Sequence, residues 1–293
     1  MTVTPELKQR ILTALQINRK NFNGSDAKYA VTLGINGAQY SRIKRDDTDH
    51  VLSDANWISL ARRLNVNLSK EQDWKIVKTP VFEFISAQLE ICQKHGASSM
   101  LCDLSDIGKS ETAKHYAATH KNAVYVDCSQ VKSKQLLIRF IAKEFGVGSN
   151  GRYADVYADL VFYIKTLPDP IIILDEYGDI SYEALLESKA LWNAVSQNCA
   201  FYTIGADGLQ ETMRRGIAKK KVGYVELFSR YGKKYGKVVP HGEEDARKLL
   251  IQNASMIIKG NSTANVSVVL KGIMGEDGRP SLRRIKNELL KVL

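Results

Sequence analysis

No stretch of this 293-residue sequence is apolar for the roughly 18 residues that a membrane-spanning helix takes. The opening residues, MTVTPELKQR, lack the apolar core of a secretory signal, so a cytoplasmic protein is expected. Cysteine is scarce. Cys92, Cys102, Cys128 and Cys199 stand far apart without a CxxC pair, which argues against a zinc site or a disulfide framework and leaves small buried thiols. Internal repeats and low-complexity tracts are absent as well. Acids are outnumbered, 32 Asp and Glu against 42 Lys and Arg, for a formal charge of +10. That surplus favours an acidic polymer as partner, nucleic acid ahead of an anionic membrane. A composition 44% hydrophobic and 25% charged is enough for a real core in one large domain or two smaller ones.

Glycine is missing where one motif would want it. In LCDLSDIGKSETAKHY, Leu101 to Tyr116, the end Gly108-Lys109-Ser110 reads as the back half of a phosphate-binding loop, GxxxxGKS. Asp103 stands at the first glycine of that pattern, and Asp106 occupies a further position where such loops favour glycine. Aspartate tolerates left-handed backbone better than most residues, so the steric cost is small. Each carboxylate beside a triphosphate costs on the order of 1 kcal/mol if solvated. ATP binding is expected to survive with some loss of affinity, because Lys109, Mg²⁺ and the following helix N-terminus oppose the repulsion.

Along the chain, residues 1–68 read as a small all-α domain. Leu7, Ile11, Leu12 and Leu15 share one helical face, and Trp57, Leu60, Ala61 and Leu64 repeat the pattern behind a cap at Ser53 or Asp54. Residues 69–80 read as a polar linker. Residues 81–240 alternate apolar strands (Ser98–Cys102, Ala123–Asp127, Ile171–Leu174, Ala200–Ile204) with helices such as Lys134–Phe145 and Tyr182–Ser196. This alternation implies a parallel sheet covered by helices, an α/β core. Residues 241–293, with helices at Glu243–Ile258, Val266–Gly272 and Leu282–Leu293, read as a helical lid.

Between the outer helices of the first domain, Ala30, Gly34, Ile35, Tyr40 and Ile43 fall at helix-turn-helix spacing. The stretch resembles the phage-repressor helix-turn-helix family. Anchoring Tyr40 and Ile43 inward leaves Gln39 and Arg42 for base edges and Lys44 and Arg45 for phosphates.

The strand in PDPIIILDEYG ends on two carboxylates, the Walker B arrangement. Asp175 is expected to hold Mg²⁺ through water, together with the Ser110 hydroxyl, and Glu176 to polarise the attacking water. Gly108, Lys109, Ser110 and Glu111 head the helix that receives the phosphates. Motif order and the strand between them resemble AAA+ ATPases. That resemblance implies a γ-phosphate sensor at Thr203, an arginine reaching a neighbouring subunit's nucleotide at Arg230, and a lid arginine at Arg283, with Arg284 the other candidate.

Met213 to Lys237 carries nine basic residues and one acid, with three tyrosines interleaved. The density suits phosphate tracking. As a whole, a helix-turn-helix domain fused to an AAA+ module and a short lid resembles the target-selecting ATPases of Mu-type transposons. Membership implies ATP-dependent oligomerisation on double-stranded DNA, largely sequence-independent binding, and delivery of that DNA to a transposase. Arg214, Arg215, Lys219, Lys220 and Lys221 are then the expected DNA contacts. Two rival readings are a helicase loader, and a repressor whose nucleotide domain is degenerate.

Overall fold

The computed structural model describes residues 3–22, 24–64, 66–68 and 74–292. Among the described residues the N-terminal unit has four helices: α1 (Pro5–Asn21), α2 (Asp26–Leu33), α3 (Gly37–Ile43) and α4 (Asp54–Arg63). Each starts at a side chain that accepts a free amide of the first turn: Thr4, Ser25, Asn36 and Ser53 respectively. Gly34 closes α2 at φ 70°, a left-handed turn that a β-carbon would strain. The tight turn lets Tyr29 and Tyr40 meet edge to face at 5.5 Å, in a core with Ile11, Leu15, Ile43, Trp57 and Leu60.

Residues 69–73 of the expected linker lie outside the described residues, as do 1, 2, 23 and 65 of the expected first domain and 293 of the expected lid. Residues 74–79 form neither helix nor strand, and Thr79 then caps a helix that opens on Pro80.

The central unit runs α5 (Pro80–His95), β1 (Ser99–Cys102), α6 (Lys109–Thr119), β2 (Ala123–Asp127), α7 (Lys134–Glu144), α8 (Tyr153–Thr166), β3 (Ile171–Asp175), α9 (Tyr182–Val195), β4 (Ala200–Gly205), α10 (Asp207–Ala218) and α11 (Tyr224–Arg230). The strands lie in the order β1-β4-β3-β2, all parallel. Gly236 adds one further rung outside β1: its N–H donates to Met100 O at 2.7 Å, and its carbonyl accepts from Cys102 N at 3.0 Å. Three helices close the chain: α12 (Glu243–Asn261), α13 (Val266–Ile273) and α14 (Leu282–Val292).

Strand residues alternate between two cores, as the period of two requires. Val124, Val126, Ile172, Leu174 and Phe201 pack with α7, α8 and α9, whereas Leu101, Ile171, Ile173, Tyr202 and Ile204 pack with α5, α6 and α12. This parity decides which strand-end side chains share the α6 face.

The N-terminal helices rest on the central unit. Asn21 Nδ2 donates to Ala118 O at 2.7 Å, and the Lys28 ammonium lies 3.5 Å from the centre of the Tyr163 ring. Gly146, at φ 74°, permits a close approach, since a β-carbon there would stand 2.8 Å from Lys28 O. Beside these contacts, a cavity of about 630 Å³ separates Arg63 on α4 from Glu144 and Tyr125 on the core.

Candidate nucleotide-binding site

The turn from β1 into α6 sets the site. Gly108 takes φ 96° immediately before the helix, and no side chain caps the first turn of α6. Its leading amides therefore belong to an open anion-binding end. A β-carbon on Gly108 would meet nothing closer than Leu282 at 3.9 Å, so the glycine serves the backbone angle rather than relieving crowding. Lys109 is 8% exposed, and its ammonium donates to the carbonyls of Asp103, at 2.9 Å, and Leu104. Burial depresses its pKa, against the opposing pull of Asp103, Asp175 and Glu176. A triphosphate is the kind of group that would relieve that desolvation.

Both loop aspartates are held by hydrogen bonds, Asp103 away from the cleft and Asp106 at its edge. Asp103 is 2% exposed and turned sideways. Its Oδ2 accepts from Val238 N and Val239 N at 2.6 and 2.8 Å, and Oδ1 accepts from Leu104 N at 2.8 Å. The carboxylate ties the loop to the chain running outside β1. Asp106, at φ 60°, spans to the lid instead. Its Oδ2 accepts from the Ser281 hydroxyl at 2.6 Å and its Oδ1 from Arg283 N at 3.1 Å, so it secures the start of α14.

Asp175 and Glu176 follow from β3. By parity Asp175 lies on the α6 face with Ile171 and Ile173. It is 2% exposed, its Oδ1 accepting from Glu176 N at 3.0 Å and its Oδ2 from the Tyr125 hydroxyl at 2.8 Å. Glu176 adopts left-handed backbone at φ 49° and ψ 42°, a region uncommon for residues other than glycine. Desolvation, then the neighbouring Asp175 charge, raise its carboxyl pKa. Ser110 and Glu111 continue from Lys109 along the cleft. A hydroxyl at the helix head and a carboxylate at the strand end are hard oxygen donors of the kind Mg²⁺ takes, so the residues fit the ion.

The cleft around these groups holds about 420 Å³. Its apolar wall comes from Trp74, Ile76, Val77 and Phe82, with Ile257 and Leu282 from the lid side. Reading 69–80 as polar linker missed this wall. Three apolar residues in a polar stretch, Trp74, Ile76 and Val77, were the available signal.

Arg283 borders the cleft with its side chain 81% exposed and its Nε 3.8 Å from Asp106. Arg284 turns away, to Glu288 and Met274 O. Thr203 is not brought to the site. It pairs in register with Leu174, on the sheet face opposite Asp175, and its fully buried hydroxyl lies 3.5 Å from Ser99 O. Ala206, three residues on, lines the cleft there. Arg230 ends α11 away from this cleft, stacked 4.7 Å from the Trp192 ring and bonded to Asn193.

Arg214, Arg215, Lys219, Lys220 and Lys221 are all exposed, at the end of α10 and in the turn after it. Arg215 pairs with Glu211 at 3.0 Å, and Lys221 sits 3.7 Å from the centre of the Tyr182 ring. In the N-terminal unit, Gln39 is spent on a capping box with Asn36, Arg42 is bound to Asp47 at 2.7 Å, and Lys44 to Asp26 at 2.9 Å.

Residues 93–213 match a family model described as an AAA domain. The chain contains an AAA domain. The match takes in the loop from Asp103 to Ser110 and the Asp175-Glu176 pair, whereas Trp74, Arg230 and the lid lie beyond it. Beyond the AAA domain, the chain is similar to the Mu-like prophage FluMu DNA transposition protein B of Haemophilus influenzae. The two are 25% identical over 242 residues, covering 80% of this chain and 79% of that one. Among the described residues no helix is long and apolar enough to cross a membrane.

Proposed function

We propose that this protein binds and hydrolyses ATP with Mg²⁺, assembles in its ATP state on double-stranded DNA with little regard to sequence, and presents that DNA to a transposase. The observation that carries the reading is the convergence of Lys109, Ser110 and Glu176 on one cleft at the head of α6, with the buried Asp175 charge acting on Lys109 from behind it. Likeness to a protein whose name gives DNA transposition directs the ATPase towards target DNA.

In this reading Lys109 leaves the loop carbonyls for the terminal phosphates, and the α6 amides bind the phosphate chain. Ser110 and Asp175 hold Mg²⁺, which supplies charge neutralisation when bound. Glu176, with its carboxyl pKa raised, orients a water and takes its proton. Arg283 meets the nucleotide from the lid. Arg230 lies outside its own cleft, where a residue serving a neighbouring subunit would be. The exposed cations of α10 track DNA phosphates, and the α2-turn-α3 pair acts as a helix-turn-helix.

The test is binding of random-sequence duplex DNA with no nucleotide, ADP, ATP or a slowly hydrolysed analogue, for the wild type and Lys109→Ala, with electron microscopy of the same samples. Assemblies that need both ATP and Lys109 support the reading. Nucleotide-independent binding confined to particular sequences, unchanged in the variant, would replace it with a repressor.

A further inference from the structure

We infer that Tyr125 is a positioning residue for the metal ion: its hydroxyl fixes the Asp175 carboxylate in the orientation that Mg²⁺ binding requires. The inference rests on the ATPase reading and goes beyond it, since Tyr125 belongs neither to the loop nor to the acidic strand end.

Tyr125 and Asp175 come from neighbouring parallel strands, two residues out of register. Tyr125 pairs with Ile173, and Asp127 pairs with Asp175. Both side chains project to the α6 face, where the phenol donates to Asp175 Oδ2 at 2.8 Å. Oδ1 is already held by Glu176 N, so the two bonds together fix the carboxylate plane. A carboxylate torsion is otherwise broad and two-fold, and a wrong rotation would aim its lone pairs off the ion. Asp127 does not compete for the phenol, because its own carboxylate accepts from Ser129 N and Oγ at 3.0 and 2.6 Å.

The ring itself is held from α6: the Lys114 ammonium lies 5.8 Å from its centre while pairing with Glu111 at 3.1 Å. Tyr125 thus joins the helix that receives phosphate to the strand that holds metal. Partners that orient a metal-binding carboxylate typically contribute 10–100-fold to metal affinity or activity.

Tyr125→Phe keeps the ring and deletes the bond. Three measurements on the full chain separate the outcomes: fluorescent-ADP affinity in EDTA, Mn²⁺ affinity of the ADP complex by electron paramagnetic resonance, and ATPase rate against Mg²⁺ concentration. The expected variant binds ADP in EDTA like the wild type, binds Mn²⁺ about tenfold more weakly, and regains most of its rate at high Mg²⁺. Unchanged Mn²⁺ affinity beside a metal-dependent wild type overturns the inference and leaves the ATPase reading standing. Equal weakening of ADP binding in EDTA overturns it too, as a general loss of structure. A wild type that takes up neither ADP nor Mn²⁺ removes the ATPase reading and the inference together.

Discussion

Asp106 Oδ2 accepts a hydrogen bond from the Ser281 hydroxyl at 2.6 Å, joining the phosphate-binding loop to the lid across 175 positions of sequence. With Arg283 N on the other oxygen, the loop caps α14 as an N-cap residue would, although it comes from another part of the chain. Both of these bonds between lid and loop therefore run through one side chain.

Asp106→Gly is expected to release ADP roughly fivefold faster, the effect of losing about 1 kcal/mol of lid contact. Overall stability should barely change, because glycine relieves the left-handed strain at φ 60° that aspartate bears there. Stopped-flow release of a fluorescent ADP, beside thermal unfolding, checks both halves.

Asp103 should behave differently. Asp103→Ala leaves the amides of Val238 and Val239 without their acceptor beside β1, and is expected to cost about 2–4 kcal/mol of unfolding free energy. Asp103→Asn keeps one acceptor oxygen and should cost less. Urea unfolding of the two variants gives the comparison.

These two residues mark the boundary of what the sequence discloses. The four strands were legible because each is a short apolar run between polar turns, and the lid helices because their apolar residues recur at helical spacing. The partners of Asp103 and Asp106 lie 135 and 175 residues away, where no local pattern points. The expected sensor Thr203 lies on the sheet face opposite Asp175, a matter of strand parity, since a one-residue difference moves a side chain through the sheet. Helices α5, α8, α10 and α11 are not among those the sequence reading names, and α8 and α11 are the contrasting pair. The first buries Val156, Leu160 and Ile164 at intervals of four, a readable signal, whereas the second has seven residues inside a basic run.

Burial raises the Glu144 carboxyl to about 7, against the opposing pull of Arg63, in the cavity beneath the N-terminal helices. The folded protein then binds this proton more tightly than the unfolded chain, whose glutamate titrates near 4.5. Stability should fall as pH rises from about 4.5 to about 7 and level off above, by on the order of 1–2 kcal/mol after solvent screening. Glu144→Gln should flatten that slope in urea unfolding between pH 5 and pH 8.

Replacing Lys219, Lys220 and Lys221 together with alanine should weaken DNA binding alike for all sequences. The slope of log affinity against log salt should become shallower by about 2 to 3, one contact per lysine. A fluorescence-anisotropy salt titration measures it. An unchanged slope would place the DNA elsewhere.

The segment Trp74 to Thr79 leads from the N-terminal helices into α5, and it also walls the cleft. It is clasped to the lid, with Lys75 N and O both bonded to the Asn261 side chain and Val77 packed against Gly260. Residues 74–79, on the way from the first unit into α5, are therefore part of the wall of the candidate nucleotide chamber. The same short segment thus touches both the lid, through Asn261 and Gly260, and the cleft. A chain trimmed back to Pro80 would lose a wall of its own pocket together with its first domain.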